Sequence, residues 1–282
     1  MPLLQRKGVT RCASPVPMKV SAHVKQFVAV IALGLATAAP LRAQAPAEAP
    51  PLAVPSASAA SESGGFKTFM KDVGGDYIHY FSVDTEKWLT AGSVEALAVH
   101  QADEWIRNET QDDDHVALLS QTAGQTYGNL GLQVPLAVGW WVAGHATGSG
   151  RAADAGRDLV RAQISALSWN YVVKYAVGRT RPNGDPRSFP SGHAAASFAT
   201  AMVLQEHYGW KLGLPFFAVA TYTAASRIVD NKHWASDVTF GAFMGMASGR
   251  TVTMHVRNSR IAIGPVAVPR GGAVMVTVGD TK

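Results

Sequence analysis

The chain has 282 residues, of which 47% are hydrophobic and 16% charged, and its formal net charge is +5. Six of its 25 Lys and Arg residues lie in the first 45 positions, which contain no acidic residue. The remainder carries 19 basic and 20 acidic side chains, so the composition gives no reason to expect nucleic acid as a partner.

Residues 1–45 have the pattern of a secretory signal peptide, in which a basic segment precedes an apolar stretch from Phe27 to Leu35. That stretch is shorter than the ~20 residues of a membrane-spanning helix. We therefore expect cleavage after Ala43 and an exported protein, periplasmic or secreted. The alternative is an uncleaved membrane anchor, in which case the active site of the domain that follows would face the periplasm. The only cysteine, Cys12, lies in this leader, which excludes disulfides and thiolate nucleophiles from the mature chain.

The sequence predicts two further regions, a disordered Pro/Ala/Ser linker at 46–65 and one domain at 66–282. The domain begins with an acidic segment, in which apolar spacing predicts an amphipathic helix from about Ser93 to Arg107. Its predicted buried face consists of Val94, Leu97, Ala98 and Ile106. Asp112 to Asp114 indicate a solvated turn rather than a metal site, because adjacent carboxylates point in different directions.

Long uncharged runs dominate the rest of the domain, in Val116–Gly150 and in shorter segments up to Gly249. Their lengths and their Gly, His and Gln content favour buried helices of a soluble bundle, with a motif-bearing core at 158–250. After Arg260, alternating β-branched residues around a Gly-rich turn predict a short β-hairpin at about 260–278.

Two clusters of polar residues flank predicted helices in this core. Lys174 and Arg181 lie at the end of an apolar segment at about 158–177, a pattern that is also typical of a solvated helix end. Pro190-Ser191-Gly192-His193 precedes a predicted helix from Ala194 to about Tyr208. The free N–H groups at the start of this helix favour an anion such as phosphate, although Ser191 is also a normal N-cap.

A third cluster contains His233 and Asp237, which share one face of a predicted helix from Trp234 to Gly249. A carboxylate beside an imidazole fixes its tautomer and leaves the other nitrogen free for attack. A surface His–Asp pair is the alternative. Arg227 ends the preceding helix, and up-and-down packing brings all three clusters to one end of the bundle. Cations, a helix N-terminus and two histidines together favour phosphoryl transfer.

Taken in their order along the chain, the three clusters resemble the signature of the type 2 phosphatidic acid phosphatase superfamily. That superfamily includes bacterial class A acid phosphatases and vanadium haloperoxidases. The matching positions are Lys174-x6-Arg181-Pro182, Pro190-Ser191-Gly192-His193 and Ser226-Arg227-x5-His233-x3-Asp237. The resemblance covers about residues 174–237 and implies an all-α helical bundle. It also implies a phosphatase that hydrolyses phosphomonoesters, including lipid phosphates or pyrophosphates.

The resemblance implies a role for each matched residue. His233 would attack phosphorus to form a phosphohistidine, oriented by Asp237, and His193 would protonate the leaving alcohol and then activate water. The phosphoryl oxygens would be bound by Lys174, Arg181, Ser191, Gly192 and Arg227. The resemblance implies a phosphate ester as partner, no metal ion and no cofactor, and it is compatible with membrane association without requiring it.

Only seven residues, Asn183 to Phe189, connect Arg181-Pro182 to Pro190, fewer than in many family members. We expect this short rim to leave the site open to varied or bulky phosphomonoesters. One alternative is a vanadium-dependent haloperoxidase that binds vanadate in the same pocket, although such members are usually much longer. Another is a phosphate-binding protein on a degenerate scaffold, against which the presence of both histidines argues.

Overall fold

The computed structural model describes residues 66–111, 122–254, 259–268 and 271–280. The predicted signal peptide, the predicted linker and the turn at Asp112–Asp114 lie outside the described residues. The described helices, in chain order, are α1 (Phe66–His79), α2 (Val83–His100), α3 (Asp103–Gln111), α4 (Ala123–Tyr127), α5 (Leu130–Ala146), α6 (Gly150–Val177), α7 (Gly192–Tyr208), α8 (Trp210–Val229) and α9 (Ala235–Met254).

An antiparallel hairpin follows the helices, at the position where the sequence predicts one. Strand β1 (Ser259–Val268) pairs with β2 (Gly271–Asp280). The prediction of an all-α bundle with a short C-terminal hairpin is therefore confirmed. The core helices also agree with prediction, except that α6 begins at Gly150, before the predicted start, where Ser149 caps it.

The centre of the bundle is the contact between α7 and α9, which small residues allow to be very close. Gly241 and Gly245 lie on the face of α9 that packs on α7. A Cβ atom at Gly245 would lie 2.2 Å from the carbonyl oxygen of Ala195, well inside van der Waals contact. This approach places the first turn of α9 against Ser191, whose backbone N–H donates to the carbonyl of Asp237 at 3.0 Å.

Replacing Gly245 by alanine is expected to destabilise the fold by about 2 kcal/mol, because the new methyl group meets backbone that has to shift. The matched control is Gly139→Ala in α5, where a Cβ atom meets nothing within 4 Å. The control should stabilise the protein slightly, since alanine favours helix more than glycine does. Thermal unfolding followed by circular dichroism compares the two, and equal midpoints would contradict the close packing of α7 and α9.

A charged network joins α1 to α6. Arg161 is 4% exposed and donates to both carboxylate oxygens of Asp76 as well as to Asp158, at 2.5 to 2.8 Å. One helical turn earlier, Arg157 and Asp72 form a second ion pair, whose side chains are 28% and 31% exposed. The two pairs link the same helices with the same spacing but differ in burial.

The predicted helix from Ser93 to Arg107 is wrong, because the chain breaks at Gln101–Ala102 between α2 and α3. Two residues of its predicted buried face, Val94 and Leu97, are 62% and 68% exposed. The break turns the buried carboxylate of Asp103 toward Ser236 at the start of α9, where it accepts from the Ser236 N–H at 2.9 Å. A tertiary contact thus overrides the local apolar spacing.

The prediction that the uncharged runs are buried is correct for α7 and α9 but not for α5 and α8. Several large apolar side chains of these two helices are exposed, namely Val134, Leu136, Val138, Val142, Leu214 and Val219. Within the described residues, one helix, Trp210–Val229, is long and apolar enough to cross a membrane, and 44% of its most apolar window is buried in the protein.

Candidate active site

Four helix termini meet at one end of the bundle, as up-and-down packing predicts. The ends of α6 and α8 lie beside the starts of α7 and α9. Lys174 of α6 donates to the carbonyl of Pro190 at 2.7 Å, and the carbonyl of Arg227 in α8 accepts from the backbone N–H of His233 at 3.1 Å. The structure therefore brings the three sequence clusters together.

Lys174 is fixed by the loop that follows its own helix. Besides Pro190, its ammonium group donates to the carbonyl of Arg187 at 3.1 Å. Burial and the nearby charge of Arg181 lower the pKa of Lys174 to about 8. The loop itself is folded tightly, since the Arg181 N–H donates to the carbonyl of Asp185 at 2.8 Å. The short connection thus holds both cations at the mouth of the site.

The start of α7 presents backbone N–H groups to the same place. Ser191 is fully buried and acts as the N-cap, its hydroxyl accepting from the N–H of Ala194. Gly192 follows at the first helical position, next to the side chain of Asn170. The positive end of the helix dipole therefore lies at the site, which favours a bound anion.

Both histidines are held neutral by their surroundings. The pKa of His193 is lowered to about 4. Burial has the largest effect, the neighbouring Arg227 and His233 add to it, and a hydrogen bond with the backbone of Gln125 opposes it. Burial also lowers the pKa of His233 to about 4, against the opposing effect of Asp237. Each imidazole consequently has a nitrogen lone pair available at neutral pH.

Asp237 is completely buried and has several partners. Its Oδ2 atom accepts from the hydroxyl of Ser188 and from the Trp234 N–H at 2.9 Å, and its Oδ1 atom accepts from Arg179 at 2.8 Å. The same Oδ2 atom lies 3.7 Å from Nδ1 of His233, an ion-pair distance longer than a hydrogen bond. Burial alone would raise the pKa of Asp237, but its hydrogen bonds and the charge of Arg179 keep it below the ordinary value.

Several buried nitrogen atoms at the site have no hydrogen-bond partner within the described part of the chain. They are Arg181 Nε, Arg227 Nε, His193 Nε2 and His233 Nδ1. Unpaired buried polar atoms are costly. His233 Nδ1 lies toward Asp237, and the cluster of the other three indicates that a ligand supplies their missing partners. Two of the four belong to guanidinium groups, which only donate, so the ligand that satisfies them has to accept hydrogen bonds and carry negative charge.

Four residues at the site were not singled out from the sequence, namely Asp103, Arg179, Ser188 and Ser236. Arg179 lies inside the six-residue spacer between Lys174 and Arg181, where the pattern specifies no residue type. Asp103 precedes Asp237 by 134 positions, and no local pattern links the two. Only the contact of α3 with α9 brings Asp103 to the site.

Among residues 66–111 and 122–254, no group of three or more His, Cys, Asp or Glu side chains could hold a metal ion. Comparison with known families matches residues 157–261 to the PAP2 superfamily. That segment contains every residue of the three sequence clusters.

Two curated relatives are similar to parts of the chain. A lipid A 1-phosphatase of Porphyromonas gingivalis is 41% identical over 109 residues, which are 36% of this chain and 24% of the relative. A lipid A 4'-phosphatase of Helicobacter pylori is 34% identical over 79 residues, 28% of this chain and 40% of the relative. The chain thus spans less than half the length of these two relatives.

A solved structure supports the fold. It is a transmembrane PAP2 type phosphatidylglycerolphosphate phosphatase from Bacillus subtilis, with a TM-score of 0.54 and 18% identity. The match covers 61% of this chain and 96% of that structure. The helical bundle described above is therefore shared with that phosphatase.

Proposed function

Because residues 157–261 match the PAP2 superfamily, we propose that the chain is a phosphatase that hydrolyses phosphomonoesters, with lipid phosphates as its substrate class. The observation that carries this proposal is the set of unpartnered buried nitrogens of Arg181, Arg227 and His193 around one helix N-terminus. A phosphoryl group has enough acceptor oxygens to satisfy all of them at once.

In the proposed first step, Nε2 of His233 attacks phosphorus, since its Nδ1 faces Asp237. His193 takes up a proton as the dianionic ester binds, because the negative charge raises its pKa from about 4. The bond between phosphorus and the ester oxygen then breaks as the P–N bond forms, and His193 donates this proton to the leaving alcohol. In the second step His193 accepts a proton from water, which attacks phosphorus and releases His233. Inorganic phosphate leaves, and both histidines return to their starting state.

Charge stabilisation would come from fixed groups. Lys174, Arg181 and Arg227 supply cations, and Ser191 and the Gly192 N–H lie at the positive end of the α7 dipole. These groups are preorganised by the loop contacts of Lys174 and by the ion pair between Arg227 and Asp230, at 3.0 Å. They stabilise the negative charge of the phosphoryl oxygens without rearranging during the reaction.

Apolar surface beside the site supports a lipid substrate. Tyr171, Val172 and Tyr175 lie on α6 within one turn of Lys174 and are 50%, 56% and 62% exposed. Exposed apolar side chains next to a phosphate pocket suit a ligand with a polar head and an apolar tail. The names of the relatives, both lipid A phosphatases, agree with this class.

Membrane association is a further part of the proposal. The exposed apolar residues of α5 and α8 and the length of Trp210–Val229 favour contact with lipid. Export across the cytoplasmic membrane is proposed from the leader at 1–45, which would place the site in the periplasm or outside the cell.

The test is hydrolysis by the purified full chain of p-nitrophenyl phosphate, a diacylglycerol phosphate and a lipid A 1-phosphate, each in the same detergent. We expect release of phosphate from all three, with higher kcat/KM for the lipids. Activity on the soluble ester alone would contradict the substrate class. A protein inactive on all three substrates would contradict the phosphatase assignment.

Anion binding is expected to take up protons, because a bound dianion raises the pKa values of His193 and His233 from about 4. A group whose pKa rises on binding makes the affinity stronger as pH falls toward the pKa of the bound form. Sulfate suits the measurement, since it remains a dianion between pH 5 and 8. Calorimetric titration in buffers of different ionisation enthalpy should show proton uptake near pH 6. His193→Asn should reduce it, and a pH-independent affinity would contradict the prediction.

A further inference from the structure

Arg179 lies at the centre of the contacts behind the site, although the three sequence clusters do not include it. Its Nη1 atom donates to Oδ1 of Asp237 at 2.8 Å and to the hydroxyl of Ser236 at 2.7 Å. Its Nη2 atom donates to Oδ2 of Asp103 at 2.8 Å and lies 3.1 Å from Nδ1 of His100. One guanidinium group thus bridges two buried carboxylates.

Asp103 is the fixed end of this bridge. It is 3% exposed, and it accepts from the backbone N–H of Ser236 at 2.9 Å and from the hydroxyl of Ser236 at 2.6 Å. Because Asp103 begins α3 and Ser236 lies in the first turn of α9, these bonds anchor one helix start to the other. Arg179 is therefore held by a carboxylate that is itself fixed to the start of α9.

The contacts of Arg179 differ from those of the other cations at the site. Both of its terminal nitrogens bind protein groups, and its guanidinium carbon lies 5.3 Å from the ring centroid of Trp234. Arg181 and Arg227 instead each have a buried Nε without a partner in the described part of the chain. Arg179 faces the carboxylate behind the nucleophile, whereas the other two arginines have donors left for an anion.

We propose that Arg179, anchored by Asp103, is a positioning residue that keeps the Asp237 carboxylate ionised and aligned with His233. The inference rests on the proposed function, since it assigns a role within that reaction. Its physical basis is that a completely buried carboxylate needs a fixed cation and directed donors to remain charged. Arg179 supplies the cation, and Ser188 and the Trp234 N–H supply the remaining donors.

Removing this cation should change how the site titrates. The charged and titratable groups around Asp237 and His233 lie on several elements. They are Lys174 near the end of α6, Arg179 and Arg181 in the loop that follows, His193 in α7, and Asp103 and His100 behind Arg179. Without Arg179, both Asp237 and His233 lose a nearby positive charge, so the pKa of each rises. The catalytically competent pair of carboxylate and neutral imidazole then forms only at higher pH.

The experiment compares Arg179→Gln, Arg179→Lys and Asp103→Asn with wild type by full pH profiles of kcat and kcat/KM. For Arg179→Gln we expect kcat to fall roughly 100-fold, because the nucleophile is misaligned. The acidic limb should move up by about one pH unit, while KM changes little because the phosphate-binding groups remain. Arg179→Lys should restore the acidic limb in part but not kcat, since an ammonium group cannot bridge two carboxylates.

The matched control is Arg250→Gln, which removes the ion pair with Glu206 between α7 and α9 at a similar side-chain exposure, 18% against 22% for Arg179. The control should leave kcat and the pH profile unchanged. If Arg179→Gln lowered only thermal stability, as a structural ion pair would, the proposal would be overturned. A raised KM with unchanged kcat would overturn it as well and would assign Arg179 to substrate binding.

A second readout does not depend on turnover. Nitrogen-15 NMR of labelled histidines, with the His233 signal assigned from His233→Ala, follows the titration of His233 directly. We expect His233 to titrate at higher pH in Arg179→Gln than in wild type. An unchanged titration of His233 in Arg179→Gln would overturn the positioning role, whether or not the protein hydrolyses any substrate. If the titration shifts as expected but the wild type hydrolyses no substrate, only the proposed function is contradicted.

Discussion

Replacing His233 by alanine is expected to lower kcat by roughly 10⁴-fold or more, the largest effect of any single change in the chain. The residue is 3% exposed, and its Nδ1 atom lies toward Asp237, so its other nitrogen is the group that can reach phosphorus. Without the imidazole no P–N bond can form, and the surrounding cations only bind the substrate. Rapid-quench experiments with phosphorus-32 substrate should trap an acid-labile phosphoprotein in wild type and none in the variant.

Two controls separate this result from loss of fold. Sulfate binding should persist in His233→Ala, because Lys174, Arg181 and Arg227 are intact, and circular dichroism should show an unchanged helix content. Asp237→Asn keeps the nucleophile but weakens its orientation, so its activity should lie between those of wild type and His233→Ala. A His233→Ala protein with wild-type kcat would overturn the assigned nucleophile.

Replacing Asp76 by alanine is expected to destabilise the protein by about 3 kcal/mol, since it leaves the buried Arg161 with only Asp158 as a carboxylate partner. The control is Asp72→Ala on the same helix, which breaks the half-exposed pair with Arg157. That change should cost less than about 1 kcal/mol, because solvent screens the pair. Urea unfolding of both variants compares them, and equal losses would show that burial does not set the strength of these ion pairs.

The ion pair of Asp76 and Arg161 should also make the free energy of unfolding depend on pH. Burial raises the pKa of Asp76 from its ordinary value of 3.8 to about 6, against the opposing effect of Arg161. A carboxyl with a raised pKa in the folded state binds its proton more tightly there, so its contribution to stability falls as pH rises from about 4 to about 6. Asp76→Asn should lack this component when urea midpoints are measured across that window.

The position of the candidate site was largely predictable, because the residues named for it lie at fixed spacings near helix ends. Lys174, Arg181, Ser191, His193, Arg227, His233 and Asp237 were all named from the sequence, and the structure places them at one end of the bundle. A short connection explains this for α8 and α9, since the five residues between them span about 20 Å at most and cannot carry the chain along a helix of 20 residues, about 30 Å long. The bundle itself follows from long runs of apolar and small residues.

The sequence could not predict in the same way which apolar side chains are exposed, or which residues far apart in the chain pair with each other. Val94 and Leu97 have apolar spacing but point outward, and the side chains exposed on α5 and α8 come from runs that composition alone would bury. Apolar composition indicates that a helix needs contact with an apolar environment, but it does not say whether protein or lipid provides it. That choice depends on which neighbours pack on each face.

By itself, then, the sequence determined the helical class, the order of the core helices and the reactive groups that their ends carry, because these depend on residues close together in the chain. Which residues contact those groups depends on the tertiary structure. Asp103 reaches Arg179 and Ser236 only because α3 packs on the start of α9. The buried carboxylates of Asp103 and Asp237 are tolerable because Arg179 pairs with both. Contacts between residues separated by 57 to 133 positions leave no periodic pattern, so the groups that hold Asp237 appear only in the folded chain.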